Sequence, residues 1–502
     1  MKIKTESTVI LKLAYLYIAL PFLIFVAGWM KIYIAIPTII IVGYCLWKIY
    51  QEAHKMWIPE FTKDNIIKIC FIVFVIAMWV YMSGIGKFVF QNLDHTARNA
   101  IFNILVEREW PVINYDILPK NKYLFQATGL IYYIGYWLPS AIVGKLFGLR
   151  AGYYAQAAWA VLGILLVYYF ICEKAKKVIL WPLWIFIFFS GLDIAGVWIT
   201  NADVTSYTHI WHLEWWGTPY QFSSMTTQLF WVFNQAIPAW ICTMLVYIQK
   251  NNRNLVFIAA CSLLTSTFPF IGILMIVIYE CFTRNYKEVA ASAKTNKIGR
   301  LKLQVGCVIK DTCTIQNIFG GGVIGVLSFL YLIGNLSGEV KMQEDPNKII
   351  LQNSLPKLVL FLILELFVFA VLLYKYNKNN KLYYFVFLML CIIPVIKVGY
   401  GSDFCMRVSI PFLFIIMLWC MDTLSKAWRE RGYVLFAGMC FVLLLGSMTP
   451  LMELKRTWTY TFQRINNGEI VYAEDCDEVE ILNNSNFSGD IEHNFFFQYI
   501  AK

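Results

Sequence analysis

The chain has 502 residues, 59% of them hydrophobic and only 15% charged, with a mean hydropathy of +0.60 and a formal net charge of +11. A soluble chain of this length carries roughly a quarter charged residues, so a soluble architecture is excluded. The basic excess sits in short clusters between apolar runs. That excludes a nucleic-acid binder and fits the positive-inside bias of membrane loops.

In chain order, Lys2, Lys4 and Lys12 place the N-terminus in the cytoplasm, and no small-residue cleavage site follows the first apolar run. Spans are expected at 10–28, 32–48 and 67–84, each long enough, or nearly so, to cross about 30 Å of hydrocarbon. The segment 85–150 follows outside. Its part 125–147 looks like a span, but counting it would put the cluster Glu173-Lys174-Ala175-Lys176-Lys177 outside. It is therefore read as an interfacial helix, with Tyr132, Tyr133, Tyr136 and Trp137 at the membrane surface.

Further spans are expected at 151–172, 178–198 and 228–248. Two short helices within 255–283 should meet near Pro269. A basic cytoplasmic loop covers 284–314. Spans near 315–335, 354–374, 382–400, 408–425 and 433–449 bring the total to about thirteen, followed by a polar external tail. The fold class is thus an all-α integral membrane protein with interfacial helices in its first external loop. The thirteen cysteines contain no Cys-x-x-Cys pair, and most lie inside apolar runs, where they behave as small hydrophobes.

Polar chemistry gathers on the expected external side. Asp94 follows the third span in Asn92-Leu93-Asp94-His95, ahead of Arg98. A carboxylate at a membrane boundary is partly desolvated, which suits a general base, while the sequence after it equally suits a helix N-terminus. His209-Ile210-Trp211-His212-Leu213-Glu214 offers His-x-x-His-x-Glu, open to a divalent metal, to interfacial anchoring or to a phosphate or sugar. Asp403 and Arg407 stand four apart and are spaced to pair on a helix; Arg407 is also a phosphate-binding candidate. Asp193 lies near the external end of a span, where an ionisable group is a functional candidate. Asn234 and Gln235 form a polar pair inside a span, suited to helix–helix hydrogen bonding. The cytoplasmic loops hold no Gly-rich phosphate loop or dinucleotide fingerprint.

The segments LDHTARNAIFNILVEREWPV, YYIGYWLPSAIVGKLFG, HLEWW with QFSSMTTQLFWVFNQ, and GSDFCMRVSIPFLFI together resemble the GT-C superfamily of membrane glycosyltransferases. The resemblance spans roughly residues 67–425. It implies an N-terminal helix pair (1–66), a GT-C-like core (67–449) and an external tail (450–502) in a bacterial plasma membrane. It also implies a polyprenyl-phosphate-linked sugar donor, a glycan or lipid acceptor, and inverting transfer with Asp94 as general base. Arg407 and Arg98 would hold the donor phosphate, with His95, Asp193, His209, His212, Glu214 and Asp403 lining donor or acceptor. Such a displacement needs no soluble cofactor, although some members of that superfamily use a divalent metal. The alternatives are a transporter or flippase, and a non-enzymatic membrane scaffold.

Overall fold

The computed structural model describes residues 6–119, 121–122, 125–205, 211–284, 297–335, 355–398 and 401–502. It is mostly helical, with little sheet. Among the described residues nine helices are long and apolar enough to cross a membrane: Val9–Trp29, Ile32–Glu52, Lys63–Met82, Leu149–Ala175, Trp181–Thr200, Met225–Ile248, Leu355–Asn377, Ile410–Arg429 and Tyr433–Asn467. Lys302–Thr312 and Gln316–Leu332, bent by 72° at the break between them, make a tenth candidate only when the pair is counted as one span.

The remaining expected crossings are short helices. Leu255–Leu263 and Thr267–Thr283 are separated by a break at 264–266, where the Ser-Thr-Phe-Pro stretch begins. The helical apolar stretch Lys381–Val395 is likewise too short to qualify.

Met225–Ile248 is the central helix, and 94% of its most apolar window is buried. Its sequence explains this position. Thr226, Gln228, Asn234 and Gln235 would be poorly accommodated by lipid, so the helix is enclosed by protein instead. Gln228 accepts from the Trp240 indole at 2.9 Å and donates to the Ser223 carbonyl at 2.8 Å. Thr226 accepts from the Trp79 indole at 3.0 Å. The Ser224 hydroxyl caps the helix, accepting from the Thr227 amide at 2.9 Å.

The helix is kinked at Val232 (φ −140°, ψ 37°), which leaves carbonyls one turn earlier free for other partners. The Phe230 carbonyl is taken up by the Asn92 amide at 2.8 Å and by His95 Nε2 at 3.0 Å. Both residues flank the start of the Asp94–Glu107 helix, so the kink docks that helix against the bundle.

Segment 125–147 is only partly the interfacial helix expected of it. Thr128–Leu130 is a strand, and the α-helix covers Leu138–Phe147. Ten helical residues rise about 15 Å, half of a hydrocarbon core, so the segment does not cross it. The chain then reverses at Gly148, whose φ of +92° favours glycine. The reversal brings Gly144 against Gly152 and Val106; a methyl at Gly144 would meet Val106 at 2.6 Å.

Helix continues through residue 450. Met448–Asn467 extends the Tyr433–Gly446 helix and turns Thr449, Glu453, Arg456 and Thr457 inward. Beyond it, Ser488–Asp490 pairs antiparallel with Thr128–Leu130, placing Gly129 opposite Gly489. The C-terminus closes on the first hairpin: Lys502 N donates to the Trp29 carbonyl and Lys31 N to the Ile500 carbonyl, both at 2.9 Å.

Candidate functional site

Two polar clusters occupy the end of the bundle where the central helix starts. The first joins the Asp94–Glu107 helix, the turn at 131–137, the central helix and the short helix Asp403–Val408. Arg98 Nη2 donates to Asp94 Oδ2 at 2.8 Å, and Arg407 Nη2 pairs with Asp403 Oδ1 at 3.0 Å. Each is an i,i+4 pair on one helical face, as spacing dictates. The two acids are about one-third exposed (39% and 35%), whereas the two guanidinium groups are almost wholly enclosed (7% and 12%).

Between the pairs stand two phenols. Tyr132 and Tyr133 lie ring to ring at 3.7 Å, and their hydroxyls are hydrogen-bonded to each other. The Tyr133 oxygen also accepts from Arg407 Nη1 at 3.3 Å and from Gln235 Nε2 at 3.1 Å. Burial foremost pushes the Tyr132 phenol well above its ordinary range. Tyr133 adds to that shift, while the charges of Arg407 and Arg98 oppose it. Tyr132 is therefore a protonated donor at neutral pH. For Arg407, burial works against the charge, but Asp403, the two tyrosines and Asp94 outweigh it and raise its pKa.

Several buried polar atoms here have no protein partner among the described residues: Arg98 Nε and Nη1, Arg407 Nε and Gln235 Oε1. Asn234, the neighbour of Gln235, also has both amide atoms unmatched. Leaving such groups unpaired costs about 1–3 kcal/mol each, more when charged, so a concentration of them calls for a reason.

The second cluster is closed around His212, with Arg456 Nε and both oxygens of the neighbouring Glu365 unmatched among the described residues. His212 donates from Nδ1 to Glu453 Oε1 at 2.8 Å, and its Nε2 faces Glu214 at 3.6 Å. Glu453 also accepts from the Trp231 indole at 2.8 Å and is paired with Arg456. Glu214 accepts from Gln221 at 2.8 Å, from the Ser223 hydroxyl at 2.7 Å and from the Ser224 amide at 2.9 Å. Burial alone would lower the His212 pKa, but the Glu453 and Glu214 carboxylates outweigh it and raise it to about 9. Two carboxylates thus face one imidazolium and one guanidinium, all buried. Alongside, Asp193 accepts from Ser190 (2.9 Å), Trp216 (3.0 Å) and Thr449 (2.8 Å). Glu365 packs against Gly191, where any Cβ would collide with its carboxylate.

The structure therefore gathers Asp94, Arg98, Asp403 and Arg407 in one place and puts Asp193, His212 and Glu214 in another. His209 lies outside the described residues. His95, expected to line the substrate, has no free ring nitrogen. Nε2 donates to the Phe230 carbonyl and Nδ1 accepts from Gln91 Nε2 at 3.2 Å. Burial and the neighbouring Arg98 charge lower its pKa to about 3, so it is a neutral strut. As for a metal at the His-x-x-His-x-Glu segment, both His212 nitrogens face carboxylates. No group of three or more His, Cys, Asp or Glu among the described residues is arranged to hold an ion. The chain matches no family model, and comparison with curated proteins and with solved structures finds no significant match.

Sequence reasoning placed Tyr132 and Tyr133 at an interface and missed them as site residues. It also missed Glu453 and Arg456, which lie over 240 residues from His212. The one local signal for that pair is an acid and a base three apart on a helix with a buried polar face.

Proposed function

We propose that this chain is a GT-C-type membrane glycosyltransferase, moving a sugar from a polyprenyl-phosphate carrier to an acceptor hydroxyl on the external face. The observation that carries this reading is Arg407 hydrogen-bonded to Tyr133, with Arg98 near enough to act on Tyr132 and Asp94 on Arg407 electrostatically, and with guanidinium N–H groups of both arginines unclaimed. Guanidinium groups match phosphate oxygens with a fork of donors, and enclosure strengthens each contact.

Each arginine at present holds a carboxylate four residues away. In the proposed cycle, donor phosphate takes over Arg98 and so releases Asp94. Asp94 then accepts the proton of an acceptor hydroxyl as that oxygen attacks the anomeric carbon from the face opposite the phosphate. The carbon–oxygen bond to phosphate breaks, its electron pair stays on the phosphate, and the sugar configuration inverts. The charge on phosphate rises from one to two, where fixed cationic donors act most strongly. Asp403 stands to Arg407 as Asp94 does to Arg98, but holds the guanidinium in register. The closed cluster of His212, Glu214, Glu453 and Asp193 frames the external end of the central helix.

The test is Asp94→Asn in membranes supplied with a lipid-phosphate sugar donor. A general base contributes about 10²–10⁴-fold, so transfer should fall by at least a hundredfold while donor binding persists. Unchanged transfer overturns the assignment. A transporter is the second reading, favoured by the broken helix at 264–266, since half-helix ends line substrate paths in many transporters. Uptake of a labelled solute into vesicles, with no sugar transfer, would decide for it.

A further inference from the structure

A groove of about 830 Å³ opens on the side of the bundle between the helices Trp181–Thr200, Ile410–Arg429 and Tyr433–Asn467. Its long wall is one stripe of the last of these. Phe436, Cys440, Leu443, Ser447 and Leu451 follow one another at three- and four-residue steps, on one helical face. From Phe436 to Leu451 the stripe runs about 22 Å. A hydrocarbon core is about 30 Å thick, so the chains of one leaflet fill about 15 Å of it. One extended acyl chain therefore fits along the groove. Among the lining residues Arg429 alone is charged, and it stands at one end.

That end has the makeup of a membrane boundary. Trp181 and Trp428 line it and are exposed, and Trp428 packs on Phe436 with ring centroids 5.1 Å apart. Tryptophans gather at that level of a bilayer. Arg429 Nε donates to the Ser425 carbonyl at 3.1 Å, and its two terminal nitrogens have no acceptor among the described residues. The adjoining stretches 173–177 and 422–431 are tied together by the Lys174–Asp422 ion pair, and they carry six basic residues against three acidic ones. Arg429 ends the 20-residue helix that Arg407 precedes. Such a helix is about 30 Å long, so the groove mouth and the arginine–tyrosine site lie at opposite membrane boundaries.

We propose that this groove binds one anionic phospholipid from the leaflet opposite the arginine–tyrosine site, with its phosphate on the Arg429 guanidinium and one acyl chain along the Phe436–Leu451 stripe. The inference goes beyond the glycosyltransferase reading and does not depend on it. The groove is apolar along its length and cationic at one end only, which matches a tail with an anionic head. A guanidinium with both terminal nitrogens unclaimed takes two phosphate oxygens at once. The acyl chain gains little by leaving bulk lipid, since lipid tails are as apolar as the groove wall. Discrimination therefore comes from the head, and the groove fixes where the head sits. The basic surroundings favour a headgroup with net negative charge over one that also carries a cation. A second copy of the chain fits the face poorly. Copies share one orientation in a membrane, so a symmetric contact here would set Arg429 and its basic surroundings against themselves.

The experiment is native mass spectrometry of the full chain in detergent, titrated with dioleoyl phosphatidylglycerol or with dioleoyl phosphatidylcholine, which has the same chains and no net charge. The native chain should retain a single phosphatidylglycerol about tenfold more tightly than phosphatidylcholine. Arg429→Gln should remove that preference. Lys177→Gln takes the same charge from the same end, outside the groove lining, and should keep it. Leu443→Trp fills the stripe and should abolish retention of the single lipid. Should that variant not be monodisperse, Leu444→Phe is the milder intrusion and should weaken retention in the same direction. Val371→Trp, on an exposed face outside the groove lining, should change nothing. Equal affinity of the native chain for the two lipids overturns the inference. A loss in Lys177→Gln as large as that in Arg429→Gln also overturns it, because it marks diffuse surface charge. Undiminished retention in the groove variants does the same, and dimers that exclude lipid would assign the face to a second copy instead. None of these outcomes touches Asp94 or sugar transfer, so the glycosyltransferase reading stands or falls separately.

Discussion

The two polar clusters contain the same kinds of residue and differ in how their acids and bases are paired. Around His212, two carboxylates have their donors: Glu214 takes three, and Glu453 is bound by His212, Trp231 and Arg456, while the neighbouring Glu365 and Arg456 Nε are left unmatched among the described residues. Around Tyr133, two arginines and a glutamine keep unpaired atoms while their acids reach toward solvent. Charges buried in the first manner hold a fold together. Charges left half-matched in the second manner persist when something outside the chain completes them.

This contrast can be broken by mutation. The largest stability effect should come from the closed cluster. Glu453→Ala leaves Arg456 buried without its counter-charge and His212 with Glu214 alone, and loss of one partner from such a set costs about 3–5 kcal/mol. The expected outcome is a much lower thermal midpoint in detergent, or no monodisperse protein. Asp403→Asn, in the open cluster, removes an acid that is 35% exposed. It should cost at most about 1 kcal/mol while weakening donor binding through a misaligned Arg407. Comparable losses from the two substitutions would erase the distinction.

The two buried histidines should bracket the stable pH range from opposite sides. His212 has its folded pKa raised to about 9 from an ordinary 6.5, so its contribution is complete below about pH 6.5 and is lost as pH rises through 9. His95 is lowered to about 3 and folds neutral. The unfolded chain takes up a proton there below about pH 6.5 and the folded chain does not, so stability falls as pH drops from 6.5 toward 3. Thermal midpoints across pH 4–10 should lose their alkaline decline in His212→Gln and their acidic decline in His95→Gln. The smallest effect belongs to Asn234, whose amide is buried with no partner among the described residues. Asn234→Leu should leave stability unchanged or raise it by about 1 kcal/mol. A drop in activity alongside would mark Asn234 as a ligand contact.

Much of the architecture was legible because membranes impose it. Long apolar runs and the placement of lysines located nine helices long and apolar enough to span and the broken pair at 255–283, and 125–147 holds no helix of that length. The i,i+4 pairing of Asp403 with Arg407 was legible too, since a helix fixes it locally. Hidden were the contacts that local pattern does not encode. The tyrosines at 132 and 133 look like interfacial aromatics until Gln235 and Arg407, distant in sequence, arrive beside them. Glu453 looked like part of a solvated tail because the apolar run ends near residue 449, yet the helix continues and turns it inward. His95 looked available because nothing in its neighbourhood announces that a kink at Val232 frees a carbonyl to hold it.

The central claim is that the half-matched arginines wait for a phosphate. The most direct measurement is a structure of the chain with a polyprenyl phosphate bound. The account predicts phosphate oxygens within about 3 Å of the Arg98 and Arg407 guanidinium groups, with the Asp94–Arg98 pair opened. Phosphate bound elsewhere, with both acid–arginine pairs intact, would contradict it.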